Sequence, residues 1–218
     1  MKTISQIVDE ILQREPFIWE NLNDGLINAS ALARQIAPEV ISVLGRDVNE
    51  SAIMMAIRRA GVQTPLALQS RLKQFAKRLG DMTMRSNLED FTFKNSSTLA
   101  SAQAMLLNEA VAFRDPFITF SQGVAETTLI VSDSLIEEVN RIFASEELIQ
   151  HASSLSSLTI RLPDQNSAII GLYYLIFRNL AWQGINVVEV ISTTNEFTII
   201  LQDDQIENAF KIFKEMRR

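Results

Sequence analysis

The sequence has no cysteine, a single histidine, and only two tyrosines and two tryptophans among 218 residues. The first absence excludes a disulfide framework and every thiolate metal site, and it fits an intracellular chain. With His151 alone, neither a histidine metal cluster nor a nucleophile–base–acid arrangement has the side chains it needs. Glycine is sparse at seven residues, and none of them builds a phosphate loop of the GxGxxG or GxxxxGK[ST] kind. The longest apolar run, Ala168 to Phe177, is too short to cross a bilayer. Charges at Lys2, Asp9 and Glu10 break up any secretory core at the start. The expectation is a cytoplasmic protein that is not an enzyme, needs no cofactor or metal and has no membrane partner.

Charge is short of one sign in each half. The net charge is −6, yet residues 1–85 hold 11 Lys and Arg against 9 Asp and Glu, whereas residues 86–218 hold 9 against 17. A nucleic-acid surface, if the chain has one, belongs to the first part.

That first part reads as helices. Ile4, Ile7, Val8, Ile11 and Leu12 recur at spacings of three and four, so residues 3–14 predict an amphipathic helix that Pro16 ends. A turn at Asn23-Asp24-Gly25 follows. Asn28 or Ser30 caps a helix that stops at Gly45, with Pro38 expected to kink or split it. Asn49 caps a further helix running to Gly61, with Ile53, Met54 and Ile57 inward. Three helices with short joints suit a helix-turn-helix or winged-helix domain over residues 1–63. The stretch GLINASALARQIAPEVISVLGRDVNESAIMMAIRRAG resembles the winged-helix domain that precedes ACT-like sensor domains in some prokaryotic proteins. That resemblance makes Asn49, Ser51, Arg58 and Arg59 candidates for DNA contact. Residues 64–80 predict a basic linker helix, with Leu68, Leu72, Phe75 and Leu79 on its apolar side. Its Arg71, Lys73 and Lys77 are either phosphate contacts or solvated cations.

The remainder repeats itself. Asn95-Ser96 and Phe120-Ser121 stand 71 positions ahead of Asn166-Ser167 and Ile191-Ser192, and Glu126, Ile136-Glu137 and Arg141-Ile142-Phe143 stand 70 ahead of Glu196, Ile206-Glu207 and Lys211-Ile212-Phe213. Each copy reads as helix, strand, hairpin, helix. Both FSQGVAETTLIVSDSLIEEVNRIF and INVVEVISTTNEFTIILQDDQIENAFKIF resemble the tandem ACT regulatory domains of aspartate kinases. The resemblance implies an α+β fold with two ferredoxin-like ACT units and antiparallel sheets, placed at 81–145 and 158–218 around a polar, Ser-rich linker at 146–157. It also implies small effectors, most often amino acids, and a homodimer paired through ACT sheets. In the second unit, the strand is expected to begin at Ile185 and the preceding helix to run to Gln183, with Ile170, Tyr173, Tyr174, Phe177, Leu180 and Ala181 as its core face. That unit lacks a fourth strand of its own, and residues 82–86 or a swapped strand are expected to complete the sheet. His151 reads as a solvated linker residue.

The candidate effector site follows from the second copy. Asp164, Gln165, Asn166 and Ser167 form a loop that feeds a helix N-terminus, where free N–H groups favour a carboxylate, and Asp164 suits an ammonium group. Asn186 and Val187 lie at the facing strand start, and by resemblance Asn186 matches the position that lines aspartate kinase effector sites; Ser192 and Thr193 close the site from the turn. A local role suits the same residues: Asp164 and Asn166 as caps, Asn186 holding its own turn. In the first copy Pro116 lacks a backbone donor, so its site is the weaker. The functional expectation is a small-molecule-sensing regulator that binds DNA; the alternative is a regulatory or scaffold protein that docks on a partner protein.

Overall fold

The computed structural model describes residues 2–23, 25–62, 72, 74–163 and 170–217. It divides into two compact units, Met1–Gln69 and Ser70–Arg218.

The first unit is helical. Helix α1 (Ile4–Arg14) opens with a reciprocal cap: Gln6 N–H donates to Thr3 Oγ1 (3.3 Å) and Thr3 N–H donates to Gln6 Oε1 (2.9 Å). Its face of Ile7, Val8, Ile11 and Leu12 is buried. Helix α2 (Pro16–Asn23) occupies the stretch before the expected turn, consistent with proline's preference for a first helical position. Helix α3 (Ala29–Leu44) starts at Asn28, whose Oδ1 accepts from Ser30 and Ala31 N–H, and stops at Gly45 in the left-handed region at φ 67°.

Pro38 does not split α3, which runs through it as one helix. Pro38 and Arg34, whose carbonyl loses its helical donor, are both exposed, so water can satisfy the freed oxygen at low cost. Helix α4 (Glu50–Val62) is capped by Asn49, whose Oδ1 accepts from Ser51 N–H at 2.9 Å. Ile53, Ile57, Leu32, Ile36 and Val40 meet α1's buried face in one core. No strand occurs among the described residues of this unit, so the expected wing has no counterpart there.

The second unit runs β1 (Met82–Lys94), α5 (Leu99–Ala110), β2 (Ile118–Gln122), β3 (Glu126–Ser132), α6 (Ile136–Ile142), β4 (Leu148–Arg161), α7 (Leu172–Trp182), β5 (Glu189–Ser192), β6 (Glu196–Gln202) and α8 (Ile206–Met216). The order strand, helix, strand, strand, helix therefore occurs twice. All strands join one antiparallel six-stranded sheet in the order β2-β3-β1-β4-β6-β5. Residues 64–80 do not act as a separate linker throughout: Phe75 and Leu79 lie in the core of this unit.

Two long strands join the repeats, and here the expected boundaries fail. Leu88–Lys94 of β1 pairs with β3, while Met82–Arg85 pairs with Ser157–Ile160 of β4. Conversely Leu155–Arg161 pairs with β6, while Leu148–Ala152 continues alongside β1. The stretch 146–157, expected as a linker, is therefore largely the first half of β4. Its polar residues lie where the strand is mostly exposed, which hides the strand pattern from composition. Residues 82–85 supply a strand beside the second repeat, as the missing-strand reasoning anticipated. Asn87 (φ 59°) and Ser154 (φ 58°) take left-handed backbone at the junctions, just before the paired residues Leu88 and Leu155.

Strand alternation separates two faces. Phe91, Phe93, Leu129 and Val131 pack under Leu99, Leu106 and Val139, and Leu158, Ile160, Phe197 and Ile199 pack under Leu172, Ile176, Leu180 and Phe213. Fully burying one such side chain contributes roughly 1.5–3 kcal/mol. The inward residues of α7 are thus Leu172, Ile176 and Leu180, spaced by four, whereas Ile170, Tyr173 and Tyr174 are exposed. Of the expected core face, Leu180 is buried and Phe177 packs against the core, whereas Ala181 is exposed with Ile170, Tyr173 and Tyr174.

Candidate functional site

The predicted effector site lies partly outside the described residues: Asp164, Gln165, Asn166 and Ser167 all do. What flanks them is well defined. Leu162 N–H donates to Asn195 O (2.7 Å), tying the end of β4 to the β5–β6 hairpin turn. Gly171 adopts φ 84° and α7 begins at Leu172, five residues beyond Ser167. Near that start, Tyr173 OH and Ser192 Oγ are hydrogen-bonded at 2.9 Å, and the tyrosine ring packs 5.3 Å from that of Phe197. Thr193 holds the turn reciprocally, its N–H donating to Glu196 O (2.9 Å) and its Oγ1 accepting from Glu196 N–H (3.2 Å). Leu162, Tyr173, Ser192 and Thr193 therefore share the hairpin end of the repeat.

Asn186 and Val187 do not join them. The strand expected from Ile185 begins at Glu189, because residues 185–188 are committed elsewhere. Ile185 N–H donates to Leu180 O, Asn186 N–H to Gln205 Oε1 (3.2 Å), and Val188 N–H to Ile200 O. Val187 packs against the core. These backbone donors are thus spent inside the protein, and Asn186 stands three residues before the start of β5.

The first repeat shows what the loop geometry can hold. Asn95 is fully engaged: its Nδ2 donates to Gly123 O (3.0 Å) and its Oδ1 accepts from Thr127 Oγ1 (2.6 Å). Ser96 Oγ accepts from Thr98 and Leu99 N–H at the start of α5, and the Ser96 and Thr98 hydroxyls both donate to the Glu146 carboxylate, at 2.5 and 2.7 Å. The protein thus places its own carboxylate at the N-terminal end of α5, where helix dipole and hydroxyl donors favour an anion. Pro116 precedes β2, which begins two residues later at Ile118.

His151 is exposed, as expected, but it belongs to a strand and not to a linker. It lies in β4, its Nε2 sits 2.7 Å from Glu89 Oε2, and its ring stacks on Phe91 at 4.4 Å. The perturbed acid is Asp90, which sequence reasoning passed over. It is 7% exposed, and its carboxyl is pushed up to about 6, chiefly by burial, then by repulsion from Glu189, with His151 acting in the opposite sense. The visible signal was an acid at an inward position of LEDFTF, between Leu88 and Thr92.

Of the proposed DNA-contact residues, Arg58, Arg59 and Lys77 are exposed. Ser51, with Ser30, Arg34, Glu50 and Met54, lines a shallow cleft of about 200 Å³ between α3 and α4. The Asn49 side chain is occupied by its capping bond. Arg71 and Lys73 lie outside the described residues. No group of acids and histidine among the described residues suits a metal ion, and no helix among them is long and apolar enough to cross a membrane.

The fold of this chain is similar over part of its length to solved regulatory subunits of aspartate kinases. The ligand-free regulatory subunit of aspartate kinase from Thermus thermophilus superposes with a TM-score of 0.51 at 12% identity, over 63% of this chain and 97% of that one. The aspartate kinase of Clostridium acetobutylicum, described as an allosteric enzyme, gives 0.53 at 12% identity over 64% of this chain, which spans only 34% of the enzyme. The aspartokinase alpha and beta subunits give 0.50 at 14% identity, over 63% of this chain and 97% of that one. At these identities the fold is what is shared. No family model and no curated protein matches the sequence.

Proposed function

We propose that this protein is a non-catalytic regulator whose two repeats are ACT-like units and whose second repeat senses a small molecule, an amino acid. The observation that carries this reading is the fold match over nearly the whole Thermus regulatory subunit. The first repeat adds a chemical argument: Glu146 already fills its helix N-terminus, leaving the hairpin end of the second repeat for an external carboxylate. Asp164 would meet the effector's ammonium group, and Ser192 and Thr193 its polar edge. Sheet edges at β2 and β5 supply the surface for a homodimer.

The test is a thermal-shift screen of the whole protein against the standard amino acids at millimolar concentration. A ligand at 100 times its Kd adds about 2.7 kcal/mol of stability. One amino acid is expected to raise Tm, the shift vanishing in Asp164→Ala and persisting in Asn186→Ala. No shift with any amino acid removes the sensing role.

A second reading concerns α4, whose exposed Arg58 and Arg59 suit phosphate contact in a helix-turn-helix arrangement. DNA affinity that falls steeply with salt and disappears in Arg58→Ala/Arg59→Ala supports it. Salt-independent capture of a protein partner by the helical unit favours the docking alternative instead.

A further inference from the structure

Asp90 Oδ1 is buried in the sheet with no hydrogen-bond partner; in the helical unit the reverse holds, and charged groups border open space. The cleft of about 200 Å³ between α3 and α4 is walled on one side by Ser30, Ala33 and Arg34 and on the other by Glu50, Ser51 and Met54. Spacings of three and four put Ser30, Ala33 and Arg34 on one face of α3, and Glu50 and Met54 on one face of α4. The α3 wall is cut from small side chains: Ala33 is fully buried, and the Ser30 hydroxyl donates to Met54 Sδ at 3.2 Å, which holds the thioether against it. Leu32, Ile36, Ile53 and Ile57 lock the same two helices into the core, so the walls are rigid elements and not loops.

Two opposite charges line this small space. Elsewhere in the unit Lys2 pairs with Glu10 and Arg14 with Glu39. Arg34 and Glu50 are exposed and, among the described residues, form an ion pair neither with each other nor with a third group. A simple anion is repelled by Glu50 and a simple cation by Arg34, whereas a molecule carrying both signs is held by both walls. The volume is below the about 300 Å³ at which drug-sized pockets begin, so that molecule is small. Ser51 adds a hydroxyl, and Ala33 with the polarizable Met54 gives a short carbon chain an apolar surface.

We propose that the α3–α4 cleft binds a small zwitterion, its carboxylate on the Arg34 guanidinium, its ammonium group on the Glu50 carboxylate, and its carbon chain over Ala33 and Met54. Arginine suits the anionic end because its planar fork pairs with two carboxylate oxygens at once. The site belongs to the helical unit, goes beyond the sensing role of the second repeat and does not rest on it.

Calorimetric titration of the full-length protein with β-alanine near neutral pH tests it, with propionate and n-propylamine hydrochloride as probes that keep one charge each. Saturable binding of one β-alanine per chain is expected. Each single-charge probe should bind at least about tenfold more weakly, as loss of one charge-assisted hydrogen bond requires. Arg34→Gln and Glu50→Gln should each weaken β-alanine binding by a similar factor, and both sites are exposed, so the variants keep the fold. Asp164→Ala should leave binding unchanged, which separates this cleft from the hairpin end of the second repeat. Absence of saturable binding, equal affinity for propionate or n-propylamine, full affinity in Arg34→Gln or Glu50→Gln, or loss of binding in Asp164→Ala would each overturn the assignment.

Discussion

Replacing Asp90 by asparagine removes a buried charge without changing the shape of the side chain, and its effect on stability depends on pH in a defined direction. Burial, with Glu189 adding to it, lifts the carboxyl from 3.8 to about 6 in the folded protein. The folded state therefore binds the proton more tightly than the unfolded chain. Stability contributed by this group is fully present below the unfolded value and is lost as pH rises through the folded one. The full shift corresponds to about 3 kcal/mol at 1.36 kcal/mol per pK unit. Between about pH 7.5 and about pH 4.5 the recoverable part is about 2 kcal/mol. Wild type should gain that much relative to Asp90→Asn as pH falls through this range. Because the variant's amide still lacks a partner, its absolute advantage at neutral pH is smaller than the full shift, and the slope is the diagnostic quantity. Urea unfolding followed by circular dichroism at several pH values measures it, comparison of the two proteins cancelling the other titrating groups. A difference that does not change with pH, or that grows in the variant's favour on acidification, would refute the claim that Asp90 is a buried, unpaired acid.

Two further outcomes test the junction between repeats. Leu155 is fully buried against Leu88, so Leu155→Ala should cost about 2–5 kcal/mol in urea unfolding, whereas Leu148→Ala, on the exposed half of the same strand, should cost under about 1 kcal/mol. Gly80 lies against Arg161, where an added Cβ would stand 3.1 Å from the Arg161 carbonyl oxygen and 3.0 Å from its Cβ. Gly80→Ala should lower stability by about 1–3 kcal/mol, read as a fall in Tm, because the Gly80 N–H to Arg161 O bond (2.8 Å) holds that backbone in place.

Local signals decided a good deal on their own. Asn28, Gly45 and Asn49 mark helix ends, since capping is settled between residues two or three apart. The 70-residue offset between β3 and β6 holds strand for strand, because a hairpin and the turn after it are specified within about 20 residues. The α+β class, the doubled strand–helix–strand–strand–helix order and the likeness to aspartate kinase regulatory domains follow from such patterns. Pairing between distant strands has no local signature. Leu148–Ala152 resembles a linker because its side chains are mostly exposed, and only β1, some 60 residues earlier, makes it a strand by supplying hydrogen-bond partners. The same pairing sets the exposed His151 against Phe91 and Glu89. Pairing with β3 and β4 also buries Asp90, opposite Ile130 and Ala152. The sequence determined which elements form, since those are near-neighbour interactions; only the tertiary structure decided which residues meet, because contacts across strands depend on register and curvature set by the whole sheet.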